Sequence, residues 1–157
     1  MHHYLHALLA ALVLLVSHAA CASGSDRVHI SNARVVEAPP VMGMNAGYLE
    51  IDNGTPSPVT LTHVSSVDFA RIEIHRSVIE DGIARMTPVG PVSIAAQSRF
   101  IFEPGAYHLM LFQAARSLHA GDSVKLMFHF ADGAAIEVKA KIVKMNNEVT
   151  KGSDLEI

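Results

Sequence analysis

Cysteine is almost missing from this chain. Of 157 residues only Cys21 is one, and beyond it there is none. The rest of the chain therefore has no disulfide, no thiolate nucleophile and no thiolate metal ligand. Charge is missing from the start: no Lys, Arg, Asp or Glu precedes Asp26, so the net charge of −3 belongs to the chain from Asp26 onward. That balance is mild and has no basic stripe, which removes the electrostatic basis for binding nucleic acid. Helical periodicity is missing as well, and at most "QAARSLHAG" suggests one helical turn. There is no internal repeat and no low-complexity linker. The longest apolar run, Leu8 to Val16, is too short to span a bilayer comfortably.

What the first residues do contain is an export signal. An apolar run is followed by small residues, and Ala20-Cys21-Ala22 fits a small-x-small cleavage pattern. Residues 1–22 are expected to be a secretory signal peptide and residues 23–144 the folded domain, with 145–157 a loose polar tail. The n-region is unusual in carrying His2, His3 and His6 but no Lys or Arg. Cys21 after "HAA" offers lipid anchoring as the less favoured route, because His18 stands where such signals use an aliphatic residue. The expected location is the periplasm, with no transmembrane segment in the mature chain.

From residue 27 onward the chain reads as short strands rich in Val, Ile, Phe and Thr. "RVHISNARVV", "AGYLEIDN", "VTLTHV", "ARIEIH", "SRFIFE", "YHLMLF", "VKLMFHF" and "AIEVKAKIV" are separated by turns such as "EDG", "EPGA" and "ADG". Six to nine strands at this spacing predict an all-β fold, an antiparallel β-sandwich or Greek-key barrel with little or no helix. About 135 residues can bury an adequate core without disulfides.

Six histidines and six methionines lie beyond residue 26: His29, His63, His75, His108, His119 and His129, and Met42, Met44, Met86, Met110, Met127 and Met145. Strand alternation sorts them. In "AYHLMLF", His108 and Met110 share one face, while Tyr107, Leu109 and Leu111 share the other. In "RIEIH", His75 shares the polar face with Arg71 and Glu73 at a strand end. Met86 follows the "EDG" turn, which can fold its segment back beside His75 as a hairpin. Two histidines and two methionines with no thiolate or carboxylate suit Cu(I), since thioether sulfur is soft. They do not suit calcium or magnesium, which take oxygen ligands, or structural zinc, which takes Cys and His. A blue-copper electron-transfer centre needs a cysteine thiolate, and none is available.

The spacing of His75, Met86, His108 and Met110, together with "GYLEIDNG", "IEIHRS", "ARMTPV", "PGAYHLMLF" and "LHAGDSVKLMFHF", resembles the PCu(A)C family of periplasmic copper chaperones over residues 28 to 143. The resemblance implies a cupredoxin-like sandwich with one surface copper site. It places the ligands on those four residues. It also implies delivery of Cu(I) to a copper-acceptor protein, a cytochrome c oxidase subunit or a thiol-containing assembly factor. Many members carry a His- and Met-rich tail. Here the tail has Met145 and no histidine, so no second site is expected there.

Each residue also has a plainer role. Singly, His75 would be a surface residue, and Met86 or Met110 would be packing. Met42 and Met44 in "VMGMN" offer an auxiliary copper loop as the less favoured reading; they are expected in a flexible loop, their thioethers packed on the sandwich. Met127 and His129 are read as the outer face of a strand, not as ligands, and His29, His63 and His119 as surface or turn residues. Arg71 and Glu73 flank His75 on its face and could orient it as a ligand, but they are read first as an ordinary surface pair. The resulting expectation is a binding protein and not an enzyme: an exported Cu(I) chaperone. The alternatives are a copper-dependent oxidoreductase on the same fold, a periplasmic copper-storage or tolerance protein, and a metal-free adhesive sandwich.

Overall fold

The computed structural model describes residues 27–38 and 42–144. The expected signal peptide and tail lie outside the described residues. Ten strands succeed one another: β1 Val28–Val36, β2 Met44–Asn53, β3 Val59–Ser65, β4 Phe69–Glu80, β5 Ile83–Pro88, β6 Val92–Ile94, β7 Ser98–Phe102, β8 Tyr107–Ala114, β9 Ser123–Phe130 and β10 Ala135–Val143. The count exceeds six to nine because the short pieces β5 and β6 each pair as strands. Among the described residues there is no α-helix, and the segment expected to offer a helical turn begins as the end of β8 and continues through a bend and a turn, burying Leu118.

Alternation builds these strands. In β9, Val124, Leu126, Phe128 and Phe130 are buried, while Lys125, Met127 and His129 point away from them. Hydrogen bonds link the strands in the order β5-β4-β8-β2-β1-β10-β9-β3-β6, with β7 on β2. The path doubles over on itself. Leu109 and Leu111 of β8 share one core with Leu126 and Phe128 of β9, although three strands separate β8 from β9 along the path. The result is the expected all-β sandwich, with one departure. β1 and β10 pair parallel, Arg34 opposite Lys141, where an antiparallel sheet was expected. Strands at opposite ends of a chain can pair either way, because no tight turn joins them.

Two local features position the rest. Asp81 and Gly82 both adopt positive φ, 53° and 75°, the signature of a two-residue type I′ hairpin turn. This turn fixes the β4–β5 register and carries β4 on to Glu80. His75 consequently lies in mid-strand and not at a strand end. At the far end of β2, the buried Asn53 amide donates to the carbonyls of Ser57, Ile94 and Ala95. That contact ties the β2–β3 turn to β6.

Candidate metal centre

β4 and β8 are the middle of the site. Ile72 and Ile74 of β4 stand opposite Leu111 and Leu109 of β8 on the core side. On the outer side His75 is opposite His108, Glu73 opposite Met110 and Arg71 opposite Phe112. Directly opposed residues in an antiparallel pair share a face and are the nearest side-chain neighbours across it. The hairpin adds β5, where Pro88 lies opposite His75 and Met86 opposite Ser77. Ser77 is two residues beyond His75, so Met86 projects from the same face, one row further along. All four expected ligands therefore share one face of three adjacent strands. Their exposures differ: His108 is buried at 5%, Met110 is half-buried, and Met86 is 62% exposed at the rim.

The two imidazoles are oriented by oxygen atoms. His108 Nδ1 lies 3.1 Å from the Ala106 carbonyl oxygen. A carbonyl only accepts, so Nδ1 carries the proton and Nε2 keeps the lone pair. His75 Nε2 lies 2.9 Å from Glu73 Oε2, and the other carboxylate oxygen is 3.0 Å from Arg71 Nη1. In the neutral ring, Nε2 donates and His75 Nδ1 keeps the lone pair. That Nδ1 is the one buried side-chain nitrogen or oxygen without a hydrogen-bond partner among the described residues. Such an atom is costly unless something else occupies its lone pair. The ring centroids are 5.9 Å apart and the planes tilt by 50°.

This arrangement sets the electrostatics. The hydrogen bond from His75 is the largest influence on Glu73 and lowers its pKa; desolvation opposes the shift, and the charge of Arg71 adds a lesser lowering. Burial lowers the pKa of His108; the Ala106 carbonyl opposes the shift and the neighbouring His75 reinforces it. A neutral imidazole is the form that ligates a metal.

Two features differ from the sequence expectation. Arg71 and Glu73 are not merely a surface pair, since Glu73 holds His75 from the outer side. A charge two residues before a histidine on one strand was the available signal. Met44 is not in the loop. It opens β2 opposite Phe112, and Ala46 stands opposite Met110, so Met44 shares the face of the four expected ligands. The sequence "MNAGYLEI" alternates far enough to have carried the strand back to it. Met42 remains outside the strand and 56% exposed. The donor set on this face combines imidazole nitrogen with thioether sulfur, a soft combination. Among the described residues no three His, Cys, Asp or Glu side chains are grouped to hold a metal ion, so no oxygen-rich site competes with it.

A family described as "Putative lipoprotein LpqE-like" matches residues 28–142. The chain belongs to the LpqE-like family. "Uncharacterized protein RP573" of Rickettsia prowazekii (strain Madrid E) is 30% identical over 103 residues, 65% of this chain and 57% of its own. This LpqE-like chain thus spans little more than half the length of that relative. "Putative lipoprotein Lxx21020" of Leifsonia xyli subsp. xyli is 27% identical over 131 residues, 82% of this chain and 78% of its own. Two solved structures are similar, each with a TM-score of 0.64. The copper-bound PCuAC domain from PmoF2 is 16% identical and covers 75% of this chain and 93% of its own. The CuI-DR1885 solution structure from Deinococcus radiodurans is 23% identical and covers 80% and 84%. The LpqE-like chain therefore has the fold of PCuAC domains, as the resemblance implied. Among the described residues no helix is long and apolar enough to cross a membrane.

Proposed function

We propose that this protein is an exported chaperone that holds Cu(I) between His75, Met86, His108 and Met110 and hands it to an acceptor protein. The observation that carries this reading is the buried, unpartnered Nδ1 of His75, set across the strand pair from His108 on a face that also bears Met86 and Met110. Two imidazoles and two thioethers favour the reduced ion. The names of the copper-bound relatives support the same cargo.

The mechanism is ligand exchange. The buried His108 and the Glu73-held His75 form the fixed half of the site. Met86, exposed at the rim, is the ligand an incoming thiolate or imidazole displaces first. Copper then passes through a shared intermediate and never enters solution as a free ion. The acceptor is a cytochrome c oxidase subunit or a thiol-containing assembly factor. The export signal lies within residues 1–22 and directs the protein to the periplasm, and the domain of residues 23–144 carries the site. The lipoprotein names of the family and of the Leifsonia relative favour anchoring through Cys21 over release near Ser23. Mass spectrometry of the exported protein separates the two, because only the anchored form begins with an acylated Cys21.

Elemental analysis after loading with copper and a reductant tests the binding reading. A tightly held copper equivalent should be present and should disappear in the His75→Ala/His108→Ala double variant. No tight copper, or copper indifferent to both histidines, overturns it. The role as a chaperone predicts that Cu(I) moves to a thiol-containing acceptor faster than it dissociates to a non-contacting chelator. Sustained copper-dependent oxygen consumption with a reductant would instead indicate an oxidoreductase.

A further inference from the structure

A second histidine pair lies on the outer face of the other layer, on β3 and β9. His63 stands directly opposite His129, and the rings stack with centroids 4.2 Å apart and planes within 4°. Met127 is two residues from His129 on the same strand and face, opposite Ser65. The arrangement repeats the first site's pattern: a histidine on one strand faces a histidine–x–methionine pair, in either order, on the next.

A β-bulge creates this pair. The register shifts between Leu61 and His63, leaving Thr62 as the extra residue. Leu61 is fully buried. Under strict alternation His63 would follow Leu61 into the core. The bulge turns His63 outward onto His129 instead, and bulges re-aim side chains in this way. Thr62 then fixes the tautomer. Its hydroxyl lies 2.8 Å from the His129 carbonyl oxygen and donates its single proton there. Toward His63 Nδ1, at 3.1 Å, the same oxygen can only accept. His63 Nδ1 therefore carries the ring proton, and Nε2 keeps a lone pair on an exposed side chain. Ser65 Oγ lies 2.8 Å from His129 Nε2, a contact a metal ion can replace.

We infer that His63, His129 and Met127 form a second copper-binding site. Cβ atoms of directly opposed residues are about 4.5–5.5 Å apart. This spacing lets two imidazoles turn off their stack and converge on one ion at about 2 Å per bond. The rotation needed is about the broad Cβ–Cγ torsion. Met127 borders a surface depression lined by Ser65, Ser66, Val67, Lys125 and Glu137. Lys125 and Glu137 are paired at 2.9 Å, so the lysine adds no unbalanced positive charge beside the ion. Two nitrogens and one thioether make an exposed, under-coordinated site, weaker than one with two of each. It can accept a further ligand from outside, as a loading or relay position must. His63, His129 and Met127 form this site whether or not His75 and His108 bind copper.

The test uses the His75→Ala/His108→Ala double variant under reductant, with Cu(I) added against a chelator. It should retain one weaker copper equivalent that disappears when His63→Ala or His129→Ala is added. No retained equivalent, or one that survives both further substitutions, overturns the inference. A measurement without substitution guards against misfolding. In wild-type protein already loaded with one Cu(I), a small amount of added Cu(II) should broaden the ring-proton signals of His63 and His129 before those of His29 and His119. Equal broadening of all four overturns it.

Discussion

His75 and His108 face each other across the β4–β8 ladder with ring centroids 5.9 Å apart, and each has one nitrogen bound to an oxygen and the other left as a lone pair. The site is therefore asymmetric. One imidazole is buried and held by a backbone carbonyl, the other is held by a carboxylate, and Met86 is exposed beside them.

That asymmetry predicts a ranking. His108→Ala should weaken Cu(I) binding more than Met86→Ala, because Met86, the proposed ligand at the rim, is exposed and open to replacement by solvent or an incoming group. A tenfold difference between the two would correspond to about 1.4 kcal/mol. Chelator competition on both variants measures it, and equal or reversed losses contradict the ranking.

Glu73 should matter although it is not a ligand. It fixes the His75 tautomer and leaves Nδ1 as the donor. Glu73→Gln should lower Cu(I) affinity by about 10- to 100-fold, the usual effect of losing such a partner. Glu73→Asp should recover part of the loss if its shorter carboxylate still reaches Nε2. Glu73→Gln binding at wild-type affinity would return Glu73 to the ordinary surface role the sequence suggested.

Acid should destabilise the copper-free protein through His108. Burial holds its folded pKa below the unfolded value of about 6.5. Between those two values the unfolded chain binds more protons, so stability falls as pH drops through about 6.5 and levels off below the folded pKa. At higher pH this group contributes no slope. Urea unfolding at pH 7.5 and pH 5.5 should show a larger acid loss in wild type than in His108→Gln. Equal losses would mean that other groups carry the dependence.

The Asp81-Gly82 turn should control the proposed copper site without touching it. A single residue inserted there shifts the β5 register by one and turns Met86 to the opposite face. Cu(I) affinity should fall to that of Met86→Ala, with the β4–β8 pair intact by amide exchange. Unchanged affinity would show that Met86 is dispensable.

Much of this was legible in the sequence because alternation in strands is strict. It set His108 and Met110 on one face, Leu109 and Leu111 on the other, and His75 away from Ile72 and Ile74. The "EDG" signal foretold the hairpin that brings Met86 round. What alternation cannot give is which strands lie side by side. Nothing local joins β3 to β9, so the sequence shows His63 and His129 only as separate residues, and the bulge at Thr62 breaks the rule that would bury His63. The parallel β1–β10 pairing was hidden for the same reason, since it joins residues about a hundred positions apart. The Glu73–His75 bond depends on rotamers, which periodicity does not specify. Pro39, Pro40 and Gly43 make the stretch before Met44 read as a loop, although the strand begins directly after that glycine.

The central claim is that two imidazoles and two thioethers share one Cu(I) ion. X-ray absorption of the protein loaded with one equivalent of Cu(I) tests it most directly. The account predicts a reduced-copper edge with two nitrogen and two sulfur neighbours, one sulfur being lost in Met86→Ala and one in Met110→Ala. A first shell of nitrogen and oxygen alone, or a sulfur count unchanged in both variants, would contradict it.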